Sequence, residues 1–151
     1  MGAPFWANNV GAGRQPEGGT EQNCANLYHL TQGGWGMHDA DCPSPGFPLC
    51  SGTLVNGMCT HPFVLVGTQC VHVIQTEYSW SASRTQCGLA GGDLIILDDC
   101  NQLHKMYLYV AEQDYCSPTG CWIGVTDSGL EGQWRWIDGS PMGMGLPYWG
   151  S

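Results

Sequence analysis

The pattern of apolar and polar positions in the second half of the chain predicts a domain of short strands and two helices. Two apolar runs on either side of Gly67, within residues 61–75, predict a β-hairpin. The run DLIIL, residues 93–97, predicts a short buried strand. Two further strands are predicted after Cys121, in the stretches CWIGVTD and QWRWIDG.

Helical periodicity fills the two gaps between these strands. The first helix is predicted to run to about Leu89 and to stop at the glycine pair that follows Ala90. The second is predicted to run through about Glu112 with one apolar face. The candidate N-terminal caps are Thr76 or Ser79 for the first helix and Asp98 or Asp99 for the second. The residues of the apolar face are Leu103, Met106, Tyr107 and Val110.

The first half of the chain has weaker periodicity. Residues 1–22 are rich in Gly, Asn and Gln, which predicts an ordered loop. Strand-like pieces follow at residues 25–30 and 47–50. The stretch 51–58 contains the turn-forming pair Asn56-Gly57, and we interpret it as a linker.

Cysteine content changes the picture from an ordinary globular domain to a crosslinked one. The chain has 151 residues, enough for one domain with its own core, and nine of them are cysteines. There is no CxxC pair and no His-x-x-x-His, so disulfides are favoured over zinc. Disulfides indicate an oxidising environment, and the predicted location is therefore secreted or extracellular. No export signal is visible at the N-terminus, which is expected of a piece of a longer chain.

Charge and motif content exclude several classes of function. The formal net charge is −9, and the four cations are scattered, which argues against nucleic acid as a partner. No apolar run is long enough for membrane insertion. The sequence has no Gly-x-Ser-x-Gly, no phosphate-binding loop and no zincin helix, so we do not expect an enzyme.

The order of motifs from Cys59 to Ser151 closely resembles the first two-thirds of a C-type lectin-like domain, especially of the arthropod kind. The order is a hairpin, an SW-x-x-x-R-x-x-C helix, GGDL, a second helix, WIGVTD, EGQWRW, DGSP and YW. The most specific elements are the WIG motif at Trp122 and the W-x-W strand at Trp134 and Trp136. The resemblance implies an α+β fold in which two helices flank antiparallel sheets and a long loop binds the ligand. The tryptophans expected in its core are Trp80, Trp122, Trp134 and Trp136.

Residues 1–50 resemble the remaining third of the same domain, through FWANN, QPEGG, EQNC, MHD and PLC. The resemblance therefore divides the chain into a C-terminal third (1–50), a linker (51–58) and an N-terminal two-thirds (59–151). The chain also ends in MGLPYWGS and begins with MGAPFWAN. We interpret it as one period of a tandem lectin-like array, cut within the long loop, so that its fold is circularly permuted or half-swapped.

The resemblance also implies a set of disulfides. Two bridges are local, Cys24–Cys42 and Cys59–Cys70. The outer bridge, Cys50–Cys87, requires that the two parts of the chain fold together or that two chains exchange halves. Three cysteines remain: Cys100–Cys121 with Cys116 unpaired is the favoured arrangement, and Cys116–Cys121 is the alternative.

A calcium site with a directly bound sugar is the functional feature that the resemblance implies. Calcium prefers six to eight oxygen ligands. The implied metal ligands are Gln15, Glu17, Glu21 and Asp39, and the implied sugar-binding residues are Gln15, Glu17, Trp35, His38 and Asp39. The triplet QPE resembles the galactose-type motif. It has Glu17 where Asp is usual, Gln22 stands where an acid is usual, and His38 stands where Asn is usual.

The predicted function is calcium-dependent carbohydrate binding by an extracellular lectin-like repeat. The partners would be carbohydrates or glycoprotein glycans, together with neighbouring repeats or a second copy that exchanges halves. The alternative is a calcium-independent structural repeat that binds proteins or a mineral surface in a matrix. Asp127, Glu131 and Asp138 are predicted to be solvated turn acids, with an auxiliary calcium site as the less favoured interpretation.

Overall fold

The computed structural model describes residues 8–9, 13–14, 23–29, 35–129 and 133–142, with the backbone alone at residues 8–9, 13–14, 29 and 35. The described strands are β1 (Asn8–Asn9), β2 (Gly13–Arg14), β3 (Cys24–His29), β4 (Trp35–Ala40), β5 (Phe47–Gly52), β6 (Val64–Val66), β7 (Gln69–Val73), β8 (Gly92–Leu94), β9 (Cys121–Thr126) and β10 (Arg135–Trp136). The helices are α1 (Trp80–Leu89) and α2 (Cys100–Glu112).

An eight-stranded sheet forms the centre of the fold. Its order is β4-β3-β9-β5-β7-β6, with β10 paired to β9 and β8 paired to β5. The ladder between β5 and β9 is parallel, with Phe47 beside Cys121, whereas the other described ladders are antiparallel. The sheet is therefore mixed. Strand β5 lies between β9 and β7 and runs parallel to β9 but antiparallel to β7. The predicted α+β fold is confirmed, and its sheet is antiparallel except at this ladder.

Both predicted helices form at the predicted caps. The Ser79 hydroxyl accepts a hydrogen bond from the Ala82 N–H at 3.3 Å, and α1 ends at the predicted residue. The Asp99 carboxylate accepts one from the Asn101 N–H at 2.9 Å. Such caps satisfy N–H groups that have no partner within the helix.

Two apolar clusters hold the fold together. The larger one packs α2 against the sheet and includes Leu27, Met37, Leu49, Ile95, Leu103, Met106, Val110, Ile123 and Trp136. The smaller one surrounds Trp122 and Phe63 and contains three disulfides. Trp122 and Trp136 are buried, whereas Trp80 and Trp134 are half-buried and pack against the clusters.

Four disulfides form among the nine cysteines. Three are the pairs that the resemblance implies: Cys24–Cys42, Cys50–Cys87 and Cys59–Cys70. The fourth joins Cys116 to Cys121, whose Cα atoms are 4.7 Å apart, so the favoured Cys100–Cys121 pairing is wrong. Cys121 is bonded to Cys116, and a cysteine forms one disulfide, so Cys121 is not available to Cys100.

The segment 51–58 closes a tight turn and also extends the sheet. Ser51 and Gly52 belong to β5, and Val55 bridges to Met58 around the predicted turn. Because β5 pairs with β7, β8 and β9, the first and second halves of the chain share one sheet. The role of this segment as a linker between domains stays a prediction.

Candidate functional site

The site lies at the edge of the sheet where β3 begins and where β4 and β9 end. Cys24 lies in register with Ala40 on one side and with Thr126 on the other. The backbone carbonyl of Asn23 accepts hydrogen bonds from the Asp127 N–H at 3.1 Å and from the Thr126 hydroxyl at 2.5 Å. The Cys24–Cys42 disulfide fixes this end of β3 to the residues that follow β4.

Strand alternation brings three oxygen-bearing side chains to one face of this end. Asp39 follows Met37 by two residues on β4, and Met37 belongs to the larger core cluster. Asn23 directly precedes β3 and Asp127 directly follows β9, and extending the alternation by one residue assigns them to the faces of Ala25 and Val125. We call Asn23, Asp39 and Asp127 the strand-end oxygen cluster.

Burial distinguishes this cluster from ordinary surface acids. Asp39 is 0% exposed and Asp127 is 3% exposed. The Oδ1 atom of each member is out of contact with solvent. Two buried carboxylates at one strand end offer oxygen donors of the kind that calcium prefers, which makes this a candidate cation site.

The cluster fits calcium in the chemistry of its donors and is incomplete in their number. Carboxylate and amide oxygens are the ligands that calcium prefers, and a full shell needs six to eight of them. Within the described ranges, no three His, Cys, Asp or Glu side chains come together as a metal site. A complete shell therefore needs further oxygen ligands, which can be backbone carbonyls, water or side chains outside the described residues.

The sequence-predicted site residues are only partly within the described structure. Gln15, Glu17 and Glu21 lie outside the described residues. Trp35 begins β4, and its backbone pairs with that of His29.

His38 and Asp39 are not brought together by β4. His38 is half-buried and lies opposite Asn26, so its side chain points to the other face of the sheet from Asp39. Its ring lies 5.6 Å from that of Tyr28. His38 is therefore placed on a different surface from the strand-end oxygen cluster.

The acids near the WIG strand behave differently from one another. Asp138 is fully exposed, and hydrogen bonds from the hydroxyl and the N–H of Ser140 lower its pKa, as expected of a solvated turn acid. Asp127 is buried, so the expectation of a solvated turn is wrong for this residue. It is buried because its N–H bonds to Asn23, more than a hundred positions earlier in the chain. Glu131 lies outside the described residues.

Sequence reasoning missed Asn23 as a site residue. The only local signal is its position directly before Cys24, and that signal acquires meaning once β3 is known to pair with both β4 and β9.

Comparison with known proteins finds sequences that are similar to the second half of this chain. Residues 76–149 match the family model described as Lectin C-type domain. That stretch contains α1, α2 and the WIG strand β9. This stretch, about half of the chain, is similar to the C-type lectin domain, and the fold of the chain is C-type lectin-like. The match covers the second half of the chain and includes Asp127 of the strand-end oxygen cluster.

Curated relatives carry the same family name. The chain is 26% identical over 94 residues to "C-type lectin domain family 4 member M" of Symphalangus syndactylus, which covers 62% of this chain and 21% of that protein. It is 29% identical over 82 residues to "C-type lectin domain family 4 member E" of Mus musculus, covering 54% and 36% respectively. It is 28% identical over 81 residues to "CD209 antigen" of Symphalangus syndactylus, covering 53% and 20%. No solved structure matches.

The chain spans about a fifth to a third of the length of these C-type lectin relatives. Neither α1 nor α2, the helices of the described residues, has the length and apolar content needed to cross a membrane.

Proposed function

We propose that the protein is an extracellular lectin-like repeat that binds carbohydrate in a calcium-dependent manner and is not an enzyme. The observation that carries this proposal is the strand-end oxygen cluster, with its two buried carboxylates at the end of β3, β4 and β9. The C-type lectin names of the relatives support carbohydrate as the ligand class. The partners are carbohydrates or glycoprotein glycans.

Asp39 is the residue of the cluster that we assign to the primary calcium site. Gln15, Glu17 and Glu21 are proposed to complete the shell, and Glu21 precedes Asn23 by two positions in the chain. When bound, calcium supplies a charge that attracts two neighbouring sugar hydroxyls. The acidic side chains keep the ion in place and accept hydrogen bonds from the same hydroxyls.

A galactose-like arrangement of hydroxyls is the proposed preference, from the triplet QPE at residues 15–17. Trp35 is proposed to stack against the apolar face of the sugar. His38 is left out of the proposed sugar site, because its side chain lies on the opposite face of β4 from Asp39 and because imidazole is a poor calcium ligand.

We also infer that the chain is one period of a tandem array, in which the C-terminal third of the domain precedes its N-terminal two-thirds. The similar sequences MGAPFWAN and MGLPYWGS at its two ends support this inference. The pairing of β5 with strands from the second half of the chain supports the reversed order of the two segments. The Cys50–Cys87 bridge joins the two segments within one chain, as a permuted fold requires.

Thermal unfolding with and without calcium tests the metal site. Extracellular modules bind calcium with dissociation constants of about 10⁻⁴–10⁻³ M, so about 10 mM calcium should stabilise the protein by about 1.4–2.7 kcal/mol. Replacing Asp39 with Asn should abolish this shift. Asp41→Asn is the matched control, because Asp41 is exposed and lies two positions further along the same segment. If calcium shifts the thermal midpoint equally in Asp39→Asn and Asp41→Asn, the ion binds at a site that does not include Asp39.

Elution from immobilised sugars tests the ligand. We expect retention on a galactose column in calcium and release by chelator. If the protein is retained on neither a galactose nor a mannose column, and if calcium does not shift its thermal unfolding, the calcium-independent matrix repeat is supported instead.

A further inference from the structure

The free edge of the sheet at β6 has the properties of an interface. In the sheet order β6 is terminal, and in the described structure it pairs with β7 alone. Two of its three side chains are exposed apolar groups, Val64 at 47% and Leu65 at 54%. Natural proteins usually protect such an edge with charge, proline or a covering element.

The hairpin geometry directs one backbone pair outward. Val66 and Gln69 close a two-residue turn, so they form a hydrogen-bonded pair of the ladder. Hydrogen-bonded and non-hydrogen-bonded pairs alternate along an antiparallel ladder. Leu65, opposite Cys70, is the next residue and therefore belongs to a non-hydrogen-bonded pair. Its N–H and C=O point away from β7, toward the free edge.

The edge is held rigidly by α2. The Gln102 side chain is 4% exposed and donates a hydrogen bond to the Val66 carbonyl at 2.7 Å. Its oxygen accepts hydrogen bonds from the N–H and the hydroxyl of Thr68, at 3.1 and 3.3 Å. The Cys59–Cys70 disulfide crosslinks the same hairpin to the preceding loop. An element that is already ordered loses little further entropy when it binds.

The absence of charged residues from the segment that contains β6 favours this edge as a contact between two copies of the acidic chain. The chain has a net charge of −9, yet no Asp, Glu, Lys or Arg occurs between Cys42 and Thr76. That uncharged segment contains β6 and five of the eight large apolar side chains exposed in the described structure. Those five are Leu54, Val55, Met58, Val64 and Leu65. Repulsion between two acidic copies is weakest where such a segment lies at the contact.

We propose that β6 pairs antiparallel with β6 of a second copy of this chain across a twofold axis at Leu65. Each Leu65 donates its N–H to, and accepts a hydrogen bond from, Leu65 of the other copy. The two eight-stranded sheets become one continuous sheet, and the pairing is self-complementary as a twofold contact requires. The contact is small, so we expect a reversible dimer with a dissociation constant on the order of micromolar.

Sedimentation velocity of the disulfide-intact chain across a concentration series tests the proposal. We expect a monomer–dimer equilibrium that shifts toward dimer as salt screens the acidic charge. Leu65→Lys should weaken the dimer at least tenfold. Leu89→Lys is the matched control, because Leu89 is 78% exposed on α1, far along the chain from the uncharged segment, and should dimerise as the unaltered chain does. A monomer at all concentrations, or equal effects of the two substitutions, would overturn the proposal.

Hydrogen exchange on the unaltered chain gives a test without any substitution. The Leu65 amide should exchange rapidly in dilute protein and become protected at the concentration where dimer forms. An unprotected Leu65 amide in a dimeric sample would contradict edge pairing. A dimer that survives denaturation without reductant would likewise overturn it, because that result indicates exchanged halves joined through Cys50 and Cys87.

Discussion

The contact between Gly46 and Trp122 can be tested by a double-mutant cycle, because it joins the two halves of the chain. A Cβ atom on Gly46 would lie 2.8 Å from the indole nitrogen of Trp122. That nitrogen also donates a hydrogen bond to the Tyr78 carbonyl at 2.8 Å, and the ring is fully buried. The ring therefore has no free direction in which to move. Gly46→Ala should destabilise the protein by about 1–3 kcal/mol, the usual cost of an overpacked core.

The second arm of the cycle is Trp122→Phe. It removes the hydrogen bond to Tyr78, which contributes about 1 kcal/mol, and part of a buried ring, for a total of about 2–3 kcal/mol. The smaller ring leaves space for the new methyl group. Gly46→Ala should therefore cost at least about 1 kcal/mol less in the Trp122→Phe background than in the unaltered chain.

Urea unfolding followed by circular dichroism, with the disulfides intact, measures all four free energies. Gly88→Ala is the control, because it makes the same chemical change on α1 with open space around it. It should stabilise the protein by about 0.5–1 kcal/mol, since alanine favours helix over glycine. Additivity of Gly46→Ala and Trp122→Phe within about 0.5 kcal/mol would refute the proposed packing.

Three further predictions concern stability. Replacing Cys50 and Cys87 together by Ala should lower the free energy of unfolding by about 4 kcal/mol, because the bridge spans 37 positions, and urea midpoints will measure this. Gly92→Ala should prevent stable folding, as judged by loss of the cooperative thermal transition, since its Cβ would overlap the Ser51 carbonyl. Burial, and to a lesser degree a neighbouring histidine, lowers the pKa of His72 below 6.5, so its unfolded form binds protons more readily. The contribution of His72 to stability should therefore be fully present above pH 6.5 and should be lost as pH falls through the lower pKa of the folded state. The thermal midpoint of His72→Gln should depend less on pH than that of the unaltered chain.

Elements set by local chemistry were predictable from the sequence. The caps at Ser79 and Asp99 follow from the hydrogen bonds that such side chains offer to nearby N–H groups. The hairpin around Gly67 follows from the positive φ of 61° that its turn requires and that glycine adopts at low cost. Each of these features depends on residues within a few positions of one another.

Features that depend on distant pairing were not predictable from local pattern. The burial of Asp127 and the role of Asn23 follow from the pairing of β3 with β9. The Cys116–Cys121 bridge depends on the tight segment after α2, which the cysteine spacing leaves undetermined. The sequence pattern therefore indicated the fold and the location of Asp39, while the composition of the strand-end oxygen cluster required the three-dimensional pairing of strands.

The account rests on the claim that the two halves of this chain form one folded unit. Mass spectrometry of peptides from the unreduced protein, isolated as the species that is monomeric in denaturant, tests this most directly. The expected result is a crosslinked peptide pair that contains Cys50 and Cys87. If these two residues are crosslinked only in covalent dimers, or to other cysteines, the single-chain fold and the site built on it are wrong.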